Sequence, residues 1–207
     1  ETDVHVSADG VAMICHDPNL TRVAGRPGVV AGLSRARLQS IDLGGAQMPT
    51  LDELLEEFPN ARFSVDIKVR SAIGPTVSTI RAHKAERRIL IASFDHWRRR
   101  TAHQALTGTR LAGGARETFQ AYLAHRLGPQ AIARRGLRGV DALFLPEKAY
   151  GVDFTTPGFI DSVSQMGVQV GFWTINDADQ MSQLWSHGAR AIITDRTVLA
   201  IALRAAL

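Results

Sequence analysis

Acidic side chains spaced two residues apart open this sequence, and the spacing recurs near residue 66. Glu1 and Asp3 lie in an alternating stretch. On a β-strand both carboxylates would point to one face, roughly 6.5–7 Å apart along the backbone. Asp66 and Lys68 repeat that spacing in the apolar stretch 63–68. If the two strands are parallel neighbours, three carboxylates and one ammonium group converge.

A cluster of three carboxylates is unfavourable unless a cation or protons neutralise it. Ligands that are all oxygen atoms select a hard divalent ion, Mg²⁺ or Ca²⁺, over zinc. In the alternative interpretation, Glu1 and Asp3 are solvated acids at a chain end, and Asp66 pairs with Lys68 or with an arginine. Composition alone favours that alternative, and only the surrounding motifs argue for a metal site.

His16 follows the next strand-like stretch and is a candidate for proton transfer, because imidazole titrates near neutral pH. Taken alone, a histidine before Asp-Pro is more often a loop residue that bonds its own backbone. Cys15, the only cysteine, precedes it, but adjacent strand residues point to opposite faces, so the pair cannot readily share a proton. We expect Cys15 to pack between the barrel that the strands would form and a helix. A single cysteine excludes an intrachain disulfide and a cysteine metal cluster.

Strand-like and helix-like stretches alternate along the chain. The predicted strands are residues 1–7, 62–69, 89–93, 110–112, 142–145, 169–174 and 191–194, with a returning strand at 11–16 after the Asp9-Gly10 turn. The predicted helices are residues 34–40, 50–58, 75–86, 95–106, 117–127, 129–135, 156–166, 177–187 and 197–207. Residues 18–47 are otherwise predicted to be mostly loop. Asp195 is expected to cap the last helix.

This alternation indicates parallel strands joined by helical crossovers. Seven such strands can be counted, and a closed barrel of this kind needs eight. The sequence therefore predicts an α/β fold, a TIM-type (β/α)8 barrel whose first β/α unit is absent from this chain. At 207 residues and 45% apolar content, residues 1–207 are expected to form a single domain.

The formal charge of +4 would attract anionic substrates or membranes, but arginines scattered over solvated helix faces are the favoured explanation of it. The arginines fall in helix-like segments without interleaved aromatic residues, so no nucleic-acid role is predicted. No stretch approaches the ~18 apolar residues of a membrane span. The cysteine usage fits a reducing compartment, and a cytoplasmic location is expected. Because the first residue is Glu1 rather than Met, the sequence leaves targeting open, and it gives no oligomeric state.

Five segments, taken in order, resemble the glycerophosphodiester phosphodiesterases of bacteria. They are E-x-D-V…D-G…H-D in residues 1–17, P-T-L-x-E-x-L in 49–55, S-F-D in 93–95, W-T-I-N in 173–176 and G-A-R-A-I-I-T-D-R in 188–196. Residues 100–140 carry no distinctive match. Each motif is weak by itself, and their common order makes the resemblance specific.

The resemblance implies that Glu1, Asp3 and Asp66 bind a divalent cation, Mg²⁺ or Ca²⁺. Family members commonly have Glu where Asp66 stands, so the carboxylate arm is shorter here. Lys68 matches a lysine that contacts the substrate phosphate, and Trp173 matches an aromatic residue that lines the pocket floor.

The resemblance also implies that His16 is one of two histidines that share general acid and base work. The other belongs to an H-R-G motif on the family's first strand, and this motif is absent from residues 1–207. His5 alternates in phase with Glu1 and Asp3 and could line the pocket. The other five histidines are expected at the surface.

The expected activity is metal-dependent hydrolysis of a small-molecule glycerophosphodiester to sn-glycerol 3-phosphate and an alcohol, without an organic cofactor. One alternative is a lysophospholipase D or sphingomyelinase D-like phosphodiesterase. Such an enzyme needs an exposed apolar rim, and residues 18–47 contain few large apolar side chains. The other alternative is a non-catalytic barrel that serves as a binding domain, if the chain natively lacks its first strand.

Overall fold

The computed structural model describes residues 1–128 and 135–206. The chain groups into two compact units, residues 1–111 and residues 112–207. The single-domain prediction stays a prediction. The helix predicted at 129–135 falls almost entirely outside the described residues. Among the helices that the structure describes, none is long and apolar enough to cross a membrane.

The first unit contains a five-stranded sheet in the order β2-β1-β3-β4-β5. Its strands are β1 Thr2–Val6, β2 Ala12–Ile14, β3 Phe63–Ile67, β4 Ile89–Ala92 and β5 Arg110–Leu111. The first two pair antiparallel, as the Asp9-Gly10 turn predicts, and the other pairs are parallel. The register of β1 and β3 sets Asp3 opposite Asp66.

Five helices accompany this sheet: α1 Thr21–Ala24, α2 Arg35–Gln39, α3 Leu51–Glu57, α4 Ile73–Ala82 and α5 His96–Ala105. The predicted capping box of α3 is present. The Thr50 hydroxyl accepts from the Glu53 amide at 3.1 Å, and the Glu53 carboxylate accepts from the Thr50 amide at 2.8 Å. The apolar faces of α3 and α4 pack against β1, β3 and β4 in one buried core.

Residues 18–47 are more ordered than the prediction of a loop allowed. The helix predicted at 34–40 is confirmed as α2, and the segment also contains α1 and a 3-10 turn at Val30–Gly32, which were not predicted. Its apolar side chains form a separate buried cluster, which also takes up Cys15. The members of this cluster are Met13, Cys15, Leu20, Val30, Leu38, Ile41 and Met48. Cys15 is therefore buried in a cluster that includes Met13 of β2 and Leu38 of α2.

The second unit contains a parallel three-stranded sheet in the order β10-β9-β6 and a short hairpin, β7-β8. The strands are β6 Ala142–Leu145, β7 Lys148–Ala149, β8 Val152–Asp153, β9 Gln169–Phe172 and β10 Ala191–Ile192. The helices are α6 Ala115–Leu127, α7 Pro157–Ser164, α8 Ala178–Ser186 and α9 Thr197–Ala205. All seven predicted parallel strands are confirmed, and the hairpin was not predicted.

Candidate active site

The parallel pairing of β1 with β3 brings the acidic residues together. Glu1, Asp3 and Asp66 each offer a carboxylate oxygen, and these oxygens all lie within 4.8 Å of one another. Glu1 is exposed, Asp3 is partly buried and Asp66 is buried. The convergence follows from the strand geometry alone, because Asp3 and Asp66 are register partners and Glu1 shares the face of Asp3.

Lys68 reaches into this carboxylate cluster from the end of β3. Its Nζ lies 2.7 Å from Asp3 Oδ1 and 2.8 Å from Asp66 Oδ2. Burial disfavours the charged amine, but the hydrogen bonds to Asp3 and Asp66 outweigh it and raise the pKa of Lys68. The ammonium group is therefore a fixed positive charge inside the cluster. The pairing of Asp66 with Lys68, which the alternative interpretation required, coexists with the convergence of the carboxylates.

The cluster carries excess negative charge, since three carboxylates and one ammonium group sum to −2 when all are ionised. Burial, followed by the charge of Asp3, raises the pKa of Glu1. Asp66 Oδ1 is buried and accepts no hydrogen bond from any residue that the structure describes. A buried oxygen without a donor is costly. The oxygen ligands, the net negative charge of the cluster and the unpaired Asp66 oxygen together fit a hard divalent cation.

His16 lies beside the same end of β1. The Cys15 amide donates to the Asp3 carbonyl at 3.0 Å, which extends the pairing of β1 and β2 toward His16. The His16 side chain is exposed, and its Nδ1 lies 2.7 Å from Asp17 Oδ1. Asp17 also accepts from Arg22 Nε at 2.6 Å. The hydrogen bonds from Arg22 and then from His16 lower the pKa of Asp17 to about 2.

His5 is the histidine whose position sequence reasoning underestimated. It is 5% exposed, and its Nε2 lies 3.3 Å from the His16 carbonyl oxygen. Burial lowers the pKa of His5, and the positive charge of Lys68 acts in the same direction. The side chain is thus a neutral imidazole that ties β1 to the backbone of His16. In the sequence, the position of His5 two residues after Asp3 indicates that both side chains lie on the same face of the strand.

Arg98 is a residue that sequence reasoning missed. Its guanidinium group donates to the Lys68 carbonyl and, at 3.0 Å, to the Ser93 hydroxyl. Ser93 in turn donates to the Ile67 carbonyl at 2.7 Å. The S-F-D motif, through Ser93, therefore helps to fix the backbone directly after β3. Lys68 lies at this point, and its side chain enters the carboxylate cluster.

Trp173 belongs to the second unit and directly follows β9, where it is 36% exposed. Its amide donates to the Leu145 carbonyl at 3.0 Å. Nearby, Asn176 accepts from the Thr194 hydroxyl and from the Asp195 amide, each at 2.9 Å, and donates to the Asp195 carboxylate at 2.9 Å. The prediction that Asp195 caps the last helix is wrong, because the N-cap position is Arg196. The two C-terminal motifs instead join the ends of β9 and β10.

Solved structures identify the fold. A glycerophosphodiester phosphodiesterase from Agrobacterium tumefaciens superposes with a TM-score of 0.79 at 20% identity, covering 99% of this chain and 85% of that one. An enzyme from Thermotoga maritima gives 0.75 at 20% identity, covering 98% and 84%. The fold is therefore the α/β barrel of TIM type in which these phosphodiesterases are built.

Sequence comparison identifies the family. The model of the glycerophosphoryl diester phosphodiesterase family matches residues 1–199. The probable glycerophosphodiester phosphodiesterase 2 of Mycobacterium tuberculosis is 39% identical over 201 residues, which are 96% of this chain and 76% of that protein. The chain belongs to the glycerophosphoryl diester phosphodiesterase family, and it is an enzyme of that type.

Proposed function

We propose that this enzyme hydrolyses glycerophosphodiesters to sn-glycerol 3-phosphate and an alcohol, with Mg²⁺ or Ca²⁺ held by Glu1, Asp3 and Asp66. The observation that carries the proposal is the convergence of these three carboxylates within 4.8 Å. The buried Asp66 oxygen without a donor among the described residues supports it. A structure from Oleispira antarctica, 19% identical, is a complex with the product sn-glycerol-3-phosphate, which favours the same product here.

A divalent cation, when bound, polarises phosphoryl oxygens and neutralises carboxylate charge. Lys68 supplies the protein's own positive charge. An ammonium group has three N–H donors, and Asp3 and Asp66 engage two of them. The third donor can bond a phosphoryl oxygen, and it does so most strongly when negative charge develops there in the transition state.

His16 performs one of the proton transfers in this proposal. The Asp17 carboxylate only accepts hydrogen bonds, so its contact with His16 puts the ring proton on Nδ1. Nε2 of the neutral ring then carries the lone pair. That atom can take a proton from the attacking water, or return one to the departing alcohol oxygen. His5, buried and bonded to the His16 carbonyl, positions this histidine without touching substrate.

The packing of residues 18–47 favours small diesters over lysophospholipids. Leu20, Leu38 and Ile41 are buried in the cluster beneath the segment, and Leu33 and Leu43 pack partly against it. Among the large apolar residues of this segment, Val29 is the exposed one. An apolar rim that could meet a membrane is therefore not built from residues 18–47.

The test measures release of choline, the product that both substrates share, from glycerophosphocholine and from lysophosphatidylcholine, with Mg²⁺, with Ca²⁺ and with EDTA. We expect turnover of glycerophosphocholine that EDTA abolishes and added cation restores. Asp66→Asn should abolish it, whereas Asp52→Asn, an exposed acid on α3, should not. Activity that survives both EDTA and Asp66→Asn would contradict the proposed metal site. Faster turnover of lysophosphatidylcholine than of glycerophosphocholine would favour the lipid substrate.

A further inference from the structure

A surface cleft of about 250 Å³ opens next to Lys68, lined by Arg70, Asp95, Trp97 and Arg98. Arg98 donates to the Lys68 carbonyl, and the Lys68 side chain enters the carboxylate cluster. Arg98, which lines the cleft, therefore contacts the backbone of the residue whose side chain enters the cluster. If the substrate phosphate contacts Lys68, an ester arm that extends past Arg98 would reach this cleft.

The cleft is positively charged. The Arg70 guanidinium carbon lies 4.3 Å from the Trp97 ring centroid, and Arg70 is exposed. Within the described part of the chain, no carboxylate lies within ion-pair distance of Arg70 or Arg98. The Asp95 carboxylate accepts from the Arg98 amide at the start of α5. The cleft lining thus contains two guanidinium groups and one carboxylate that already has a donor.

The aromatic rings near the cleft already have cationic neighbours. Arg70 lies over Trp97, and Lys68 Nζ lies 5.7 Å from the Phe94 ring centroid. A quaternary ammonium group binds aromatic faces that are open to it, and here it would meet positive charge. An anion instead finds the Arg70 guanidinium group, which can bind a carboxylate or a phosphate in a bidentate manner. Two of the three Arg98 guanidinium nitrogens already donate to Ser93 and to the Lys68 carbonyl, so Arg98 contributes mainly its positive charge.

From this geometry we propose that the cleft binds the departing alcohol of the diester and selects alcohols that carry a second anionic group, such as a phosphorylated polyol. This inference rests on the proposed function, because it names the alcohol which that reaction releases. In the reaction, water supplies the oxygen of the new P–O bond. The P–O bond to the alcohol breaks, and the alcohol oxygen takes up a proton.

Glycerophosphoinositol and glycerophosphoinositol 4-phosphate form a matched substrate pair, since they differ by one phosphate group. We expect kcat/KM to favour the phosphorylated diester on the order of tenfold, since one charge-assisted contact separates the two. Arg70→Gln should abolish most of that preference. Arg62→Gln removes an exposed arginine at the opposite end of β3 and should keep it.

Trp97 offers a second, independent variant, because it is half-exposed and its truncation leaves no buried cavity. Trp97→Phe retains a ring beneath Arg70 and should keep the preference, whereas Trp97→Ala should lower it. The preference should also decline as the salt concentration rises, because the cleft is open to solvent. An equal kcat/KM for both diesters in the unsubstituted protein would overturn the inference.

Calorimetric binding of inositol 4-phosphate, the alcohol product, separates this inference from the proposed function. The unsubstituted protein and Arg62→Gln should bind it alike, and Arg70→Gln should bind about tenfold more weakly. If no diester is hydrolysed with either cation, the proposed function fails. The calorimetric measurement still shows whether the cleft binds the anionic alcohol. Equal affinity in all three proteins, or no binding to any of them, would contradict the cleft assignment.

Discussion

At the residue scale, the chemistry of the site could be predicted where it depends on strand periodicity. Glu1, Asp3 and Asp66 converge because side chains two apart share a face and because β1 pairs with β3 in register. The environment of His16 could not be predicted in the same way. Its partner Asp17 is its sequence neighbour, and only the conformation of the loop after β2 brings their side chains together.

Two histidine–aspartate pairs in the first unit allow a controlled test of His16. His16 Nδ1 lies 2.7 Å from Asp17, and His83 Nε2 lies 2.8 Å from Asp52. We expect His16→Gln to lower kcat by roughly 10²–10⁴, the contribution typical of general acid–base catalysis. His83→Gln, which breaks a pair between α3 and α4, should leave kcat nearly unchanged. Equal effects of the two substitutions would mean that His16 does no proton transfer.

At the element scale, local signals were sufficient for the seven parallel strands and for most helix starts. They were insufficient for the packing of residues 18–47 and for the β7-β8 hairpin. The capping box of α3 is encoded within four residues, so the sequence alone identifies it. The cluster beneath residues 18–47 draws side chains from positions without a helical or strand period, and no local pattern indicates it. The β7-β8 hairpin turns at Tyr150-Gly151, both at positive φ, where Asn-Gly or Asp-Gly is the usual signal.

The α3 cap makes a prediction about acid stability. The hydrogen bond from the Thr50 amide lowers the pKa of Glu53 from its ordinary 4.5 to about 2. Partial burial acts in the opposite direction, and the hydrogen bond from Gln39 adds to the lowering. A carboxylate with a depressed folded pKa stabilises the fold above its unfolded pKa, and that stabilisation is lost as the pH falls through the folded value. The free energy of unfolding should therefore decline between pH 4.5 and about 2.

Urea unfolding at several pH values measures this decline. Glu53→Gln should show a shallower decline than the unsubstituted protein, and Glu57→Gln, an exposed acid at the end of α3, should retain the full slope. At neutral pH, Thr50→Ala should lower the free energy of unfolding by about 1 kcal/mol through loss of the N-cap. A Glu53→Gln curve parallel to the unsubstituted one would show that the cap is not the titrating contact.

At the scale of the whole molecule, charge is distributed unevenly. The chain has a formal charge of +4, but the carboxylate cluster with Lys68 sums to −2. Net charge could be read from composition, whereas the local excess depends on which strands are neighbours. A cation that binds this cluster binds the folded state alone, because residues 3 and 66 are far apart in the sequence and only folding brings their carboxylates together.

This difference predicts a linkage between divalent cations and global stability. A ligand that binds only the folded state adds about 2.7 kcal/mol at a concentration of 100 Kd. We therefore expect Mg²⁺ or Ca²⁺ to raise Tm in the unsubstituted protein, relative to NaCl of equal ionic strength. Asp66→Asn should lose that increase, because it removes the central ligand and one unit of negative charge. Asp52→Asn should keep it. A rise in Tm that is equal in Asp66→Asn and the unsubstituted protein would place the stabilising cation somewhere other than the carboxylate cluster.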